Sequence, residues 1–139
     1  MTDSLLASAR VSVSSVLNRN VKEFGKQFLI DGSDETCWNS DEGLPQWVLL
    51  RFLHPVLIAR LCVRFQGGFA GRECHLEGGD SPQTLRRLAD FYPEDVNALQ
   101  TFDVRAQQPV SVARLVFASS TDFYGRVVVY SLDLLGDCA

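Results

Sequence analysis

Residues 29–47 read LIDGSDETCWNSDEGLPQW and carry the strongest fold signal in the chain. Asp31-Gly32 indicates a turn, because glycine tolerates a positive φ and aspartate hydrogen-bonds to its own backbone. Trp38 follows this turn, a second polar loop spans residues 39–45, and Trp47 opens a strand. We assign both tryptophans to the core. The stretch therefore predicts two loops that pivot on a buried aromatic residue and lead into a sheet.

Alternation of apolar and polar residues follows the stretch. Residues 47–52 alternate, and His54-Pro55 is expected to end this strand. Residues 59–65 alternate again, and their inward face is expected to carry Leu61, Val63 and Phe65. A period of two over such a segment is typical of a half-buried strand.

The rest of the chain contains further short strand patterns. They cover residues 11–14, 72–77, 101–104, 112–117 and 126–135. The last of these is expected to present one face made of Val128, Tyr130, Leu132 and Leu134. Residues 22–29 fit a helical turn, residues 78–82 a loop, and residues 84–91 either a short helix or a strand over 88–92. About eight short strands separated by turns predict one all-β domain over residues 1–139, a sandwich or a barrel.

Composition limits the classes of function. The 139 residues carry a net charge of −4, which argues against non-specific nucleic-acid binding. No apolar run approaches the roughly 20 residues of a membrane helix, and the first residues lack the pattern of a signal peptide. We therefore expect a protein that stays inside the cell, is not secreted, and contacts neither membrane nor nucleic acid directly.

The cysteines and histidines do not suggest catalysis. Cys37, Cys62, Cys74 and Cys138 form no CxxC pair and are expected to be free thiols. Cys74 and His75 are neighbours, but alternation on a strand would point them to opposite faces. No nucleophile with a base and an orienting group stands out, so we predict that the protein is not an enzyme.

The motifs of residues 31–47 are similar to those of a known family. Asp31-Gly32, Thr36, Trp38 and Gln46-Trp47 resemble the discoidin, or coagulation-factor type C, domain of the galactose-binding-like group. This resemblance implies a jelly-roll β-sandwich of antiparallel strands. Secreted discoidin domains usually have a cysteine near each end, whereas the first cysteine here is Cys37, which favours protein partners over cell-surface lipids or glycans.

Other segments resemble a family of small vertebrate receptor-associated repressors. The segments are 14–20, 35–41, 65–69, 90–95 and 121–128. The resemblance implies a non-enzymatic protein of the nucleus or cytoplasm that binds a testicular orphan nuclear receptor and hinders its binding to a DNA element. The alternative from a different class is a lectin-like module that binds a carbohydrate or glycolipid.

Two sites are predicted. The resemblance to the discoidin group implies a structural Ca²⁺ in the 31–36 turn, where the alternative is an Asx-turn closed by its own hydrogen bonds. The predicted calcium ligands are Ile30, Asp31, Asp34, Thr36 and Asp133. Loops on a rigid scaffold commonly carry β-sandwich function, which predicts a partner or glycan surface on two loops. Its predicted residues are Gln66, Gly68, Phe69, Arg72, Asp122, Phe123, Tyr124 and Arg126. For each aromatic residue taken alone, the alternative is a plug that closes the end of the barrel.

Overall fold

The computed structural model describes residues 3–33 and 35–138, without the side chain of Ser8. These residues form nine strands that pair only in antiparallel fashion. The strands are β1 (Asp3–Ser4), β2 (Arg10–Val13), β3 (Trp38–Asn39), β4 (Gln46–Phe65), β5 (Cys74–Gly79), β6 (Arg86–Phe91), β7 (Gln100–Asp103), β8 (Val110–Phe117) and β9 (Val128–Cys138). The helical elements are short: α1 (Val21–Phe24) and the 3-10 turns Leu6–Ser8, Leu17–Arg19 and Lys26–Leu29. The all-β prediction is confirmed.

β4 is the central element of the topology. The hydrogen-bonded order is β1-β9-β4-β8-β5-β6, with β2 and β7 also on β4 and β3 on β9. Residues 46–51 of β4 pair with β8, and residues 56–65 pair with β9. One long strand thus joins two ladders around one core.

The predicted strand end at His54-Pro55 is wrong: β4 continues through it, and only its register with β8 shifts between Arg51 and Val56. Proline is tolerated at such an irregularity.

Two bulges change which side chains face inward. Between Ile58 and Arg60 the register of β4 with β9 shifts. The next buried side chain after Ile58 is therefore that of Leu61, not that of Arg60. A second shift places Phe65 opposite Val129 but Arg64 opposite Ser131, so Tyr130 is the extra residue. The predicted inner face of β9 is therefore correct at Leu132 and Leu134 and wrong at Tyr130, which is half-buried with the Arg64 guanidinium 5.4 Å from its ring centroid.

The core is centred on three aromatic rings. Trp38 is fully buried, and its ring centroid lies 6.2 Å from that of Phe117, which in turn lies 5.8 Å from that of Phe65. Trp47 does not join them and is half-buried, so its assignment to the core is wrong. Gln46 takes the inward position instead, because its amide nitrogen donates to the carbonyl of Gly43 at 2.7 Å and its amide oxygen accepts from Ser15 at 2.7 Å.

The ambiguous segment 84–91 is a strand, β6, and the predicted loop at Gly78 is the end of β5. A Cβ on Gly78 would lie 2.7 Å from Leu88 Cδ1, so β5 needs glycine for its close packing against β6.

Between residues 3 and 138, leaving aside position 34, no helix has the length and apolarity needed to cross a membrane.

Candidate functional site

Three loops meet at one end of the sheet: residues 40–45, 66–72 and 119–127. The Gly43 amide donates to the carbonyl of Tyr124 at 2.9 Å, and the Thr121 amide donates to the carbonyl of Ala70 at 2.8 Å. These backbone hydrogen bonds tie both outer loops to the 119–127 loop. We call the side chains that the loops present the apex, which consists of Leu44, Phe69, Asp122, Phe123, Tyr124 and Arg126.

Arg126 organises the apex. Its Nε donates to Asp122 Oδ2 at 3.1 Å, and its backbone N–H donates to the same oxygen at 3.1 Å. The guanidinium carbon lies 5.1 Å from the Phe69 ring centroid and 6.0 Å from that of Tyr124. Such cation–π contacts add to the ion pair. The 119–127 loop is thereby braced by one arginine.

The same ion pair sets the charge state of the apex. Partial burial raises the pKa of Asp122, but the two hydrogen bonds and the charge of Arg126 outweigh it and hold that pKa below its ordinary value. The carboxylate of Asp122 in turn raises the pKa of Arg126. Both groups are charged at neutral pH and compensate each other.

Gly125 gives the loop its shape. Its φ is +83°, a conformation that costs other residues roughly 1–2 kcal/mol. A Cβ there would also lie 2.9 Å from Leu44 Cγ and 3.1 Å from the Gly43 carbonyl carbon. The close approach of these two loops therefore requires glycine at this position.

The apex exposes apolar surface. Phe123 is 93% exposed, Tyr124 57% and Leu44 44%, and the Phe123 and Tyr124 rings meet edge to face at 5.2 Å. The plug interpretation is therefore wrong for Phe123, and Phe69 is half-buried beneath Arg126. The structure adds Leu44, which sequence reasoning missed. The sequence feature that could have indicated Leu44 is an apolar residue before a proline inside a polar loop.

The other predicted residues lie beside the apex. Gln66 accepts a hydrogen bond from the Tyr130 hydroxyl at 3.4 Å, and the Gly68 amide donates to Asp95 Oδ1 at 2.7 Å. Arg72 lines a separate cavity of about 580 Å³ together with Tyr92, Asp95 and Thr121. Of the eight predicted residues, five therefore belong to the apex. The other three, Gln66, Gly68 and Arg72, lie beside it, in loop contacts or at the neighbouring polar cavity.

The predicted calcium turn is closed by its own hydrogen bonds. Asp31 Oδ1 accepts from the Ser33 amide at 3.0 Å, and Asp31 Oδ2 accepts from the Thr36 hydroxyl. Asp133 accepts from the Ser4 hydroxyl at 2.7 Å, and it lines a cavity of about 440 Å³ together with Ile30. Asp34 lies outside the described residues. Calcium takes six to eight oxygens, and the described part of the chain brings together no group of three His, Cys, Asp or Glu side chains that could hold a metal.

The Cys74–His75 pair is not an activated nucleophile. Cys74 faces the core, where burial and the nearby charge of Glu73 raise the pKa of its thiol to about 12. His75 points the other way, with its Nε2 3.2 Å from Glu77 Oε2.

Comparison with known proteins gives the family. No protein-family model matches the chain. The chain is 56% identical to nuclear receptor 2C2-associated protein of Xenopus laevis, covering 98% of this chain and 100% of that protein. It is 50% identical to the human protein of that name, covering 99% of both chains. The chain belongs to the nuclear receptor 2C2-associated protein family.

Solved structures define the fold of this nuclear receptor 2C2-associated protein family member. The C-terminal domain of a Bacteroides fragilis chitobiase superposes with a TM-score of 0.83 at 18% identity, covering 99% of both chains. An F5/8 type C domain from the same organism reaches 0.83 at 15% identity, covering 99% of this chain and 98% of that chain. A family 32 carbohydrate-binding module of Clostridium perfringens in complex with galactose reaches 0.80 at 11% identity, covering 97% and 99%. The predicted discoidin-like jelly roll is confirmed, and at these identities the likeness concerns the fold alone.

Calcium binding by this family member stays a prediction. If Ca²⁺ completes the turn at Asp31, it binds the native state only and raises the free energy of unfolding by about 2.7 kcal/mol at 100 times its Kd. Thermal melts of the wild-type chain in calcium and in chelator measure this directly. An Asp31→Ala variant alone is not decisive, since it also removes the turn's own hydrogen bonds. Superimposable wild-type melts would contradict the metal site.

Proposed function

We propose that the chain is a protein-interaction module whose apex binds nuclear receptor 2C2 and hinders that receptor from engaging its DNA element. The partner is suggested by the names of relatives that match at 50–56% identity over almost the whole chain. The observation that carries the role of the apex is the 93% exposure of Phe123 on a loop braced by the Asp122–Arg126 ion pair. Aromatic side chains are enriched among the anchors of protein interfaces.

The shape of the apex favours a protein over a sugar as its partner. Small-molecule sites are concave and surround most of their ligand. Phe123 and Tyr124 instead protrude, as anchors that enter a pocket on the partner do. The likeness to galactose-bound modules rests on 11–18% identity, so it supports the lectin alternative through the fold only.

The charge of the chain supports action on the receptor rather than on DNA. The net charge is −4, and the arginine of the apex is already neutralised by Asp122. Proteins that bind DNA directly need unneutralised cations against its phosphates. In this proposal the chain acts in the nucleus, occupies a receptor surface needed for DNA binding, and blocks that surface sterically without any enzymatic step.

A competition assay tests this proposal. Purified receptor is bound to a fluorescently labelled DNA element, and the chain is added in increasing amounts. We expect fluorescence anisotropy to fall to the value of free DNA, while DNA without receptor shows no change. If the receptor binds the chain and DNA together, with the anisotropy rising further, the blocking mechanism is wrong.

A further inference from the structure

A second surface, away from the apex, concentrates positive charge. A cavity of about 500 Å³ opens between β2, the 3-10 turn Lys26–Leu29 and the middle of β4. Three of its lining residues are cationic, Arg10, Lys26 and Arg51, and the exposed side chain of Ile30 gives it an apolar wall. We call these four residues the basic cleft.

The two arginines are forced together by strand register. Arg10 of β2 is the direct antiparallel partner of Arg51 of β4. Directly opposite residues leave an antiparallel sheet on the same face with Cβ atoms roughly 5 Å apart. Both arginines are exposed. Like charges in this arrangement destabilise a strand pair.

The cations of the basic cleft have no ion-pair partner among the described residues. Of those residues, the ones that line the cavity include no aspartate or glutamate. Two other exposed arginines do have carboxylate partners: Arg105 lies 3.3 Å from Asp103 and Arg87 lies 3.3 Å from Asp90. Within residues 3–33 and 35–138, no ion pair involves the three cations of the basic cleft.

We infer that the basic cleft binds a phosphate monoester, with the phosphate between Arg10 and Arg51 and the group that carries it against Ile30. Guanidinium forks match phosphate oxygens bidentately, and Lys26 adds a third positive charge. A doubly charged anion offsets the repulsion that the register creates. The apolar wall favours an ester over inorganic phosphate. A polyanion such as nucleic acid is disfavoured, since the chain as a whole carries a charge of −4.

This inference is independent of the proposed function. Arg51 lies five residues along β4 from Gln46, the residue that follows the apex loop 40–45. At about 3.3 Å per residue that is roughly 17 Å along the strand. A variant in the basic cleft therefore leaves the apex intact, and failure of one proposal does not imply failure of the other.

The test is an NMR titration of the ¹⁵N-labelled chain with phenyl phosphate in a buffer free of other phosphate. We expect the amides of residues 9–12 and 50–52 to shift, and Arg51→Gln and Arg10→Gln each to weaken binding about tenfold or more, as loss of a charged hydrogen-bonding partner does. The matched control is Arg105→Gln, which removes the same charge elsewhere and should bind as wild type does. Without phosphate, the two cleft variants should melt no lower than wild type, because each removes the repulsion.

Further probes identify the source of the phosphate. Equal affinity for phenyl phosphate and a phosphotyrosine peptide points to a small phosphate ester, and tighter binding of the peptide points to a phosphorylated protein; both support the inference. Absence of shifts with phenyl phosphate, or unchanged affinity in both cleft variants, would overturn it. Stronger binding of a DNA oligonucleotide than of either probe at physiological salt would also overturn it.

Discussion

Phe123→Ala is expected to weaken binding to nuclear receptor 2C2 by about 2–4 kcal/mol, roughly 30- to 1000-fold in Kd. The ring is 93% exposed in the free chain, so its removal takes little from folding and all of its apolar area from the interface. It stands on a loop braced by Arg126, so little backbone freedom of the loop is lost on binding. Calorimetric titration of the receptor with each form measures the change.

The matched control is Leu53→Ala. Leu53 is 73% exposed but lies in the middle of β4, away from the apex loops. It tests whether loss of any exposed apolar side chain weakens binding. Both variants should melt as wild type does. Equal affinity of Phe123→Ala and wild type for the receptor would place the binding surface elsewhere on the chain.

Trp38→Ala is expected to lower the free energy of unfolding by about 3–5 kcal/mol, a large fraction of the stability of a single domain. Trp38 is fully buried, its ring packs on Phe117, and its Nε1–H donates to the carbonyl of Ser15 at 2.9 Å. The substitution leaves a cavity and an unpaired carbonyl. Urea denaturation followed by circular dichroism gives the difference.

Two further variants separate the causes. Trp38→Phe retains an aromatic ring against Phe117 and loses the N–H, so it should cost about 1–3 kcal/mol. Trp47→Ala removes the same side chain from a half-buried, outward position and should cost less than Trp38→Ala. If Trp47→Ala proved the more destabilising of the two tryptophan deletions, the account of the core would be wrong.

The alternation of apolar and polar residues predicted where the strands lie, but not where they end or bulge. Alternation over residues 59–65 identified Leu61, Val63 and Phe65 as buried, because a half-buried strand imposes a period of two. The bulges near Ala59 and Tyr130 could not be seen, since each depends on the partner strand and breaks the period without a sequence signal of its own. The predicted strand end at Pro55 is wrong because proline is tolerated at a register shift between strands. Such a shift exists only in the assembled sheet and leaves no mark in the local sequence.

The apex was predicted in part for a related reason. Aromatic residues and arginines in and beside two glycine-containing loops, 66–69 and 121–126, indicated the surface. The structure places Phe69 and Tyr124 around Arg126, and Phe123 against Tyr124. Leu44 was missed because its place beside Gly125 is set by contact between loops far apart in the chain. The basic cleft was missed for the same reason, since only strand register brings Arg10 opposite Arg51.

The competition assay with the labelled DNA element, run side by side with wild type, Phe123→Ala and Leu53→Ala, tests the central claim most directly. The account predicts that wild type and Leu53→Ala release the DNA from the receptor at the same concentrations. It predicts that Phe123→Ala needs roughly 30 times more protein or above, in line with the lost interface energy. Release by all three forms at equal concentrations would contradict the assignment of receptor binding to the apex.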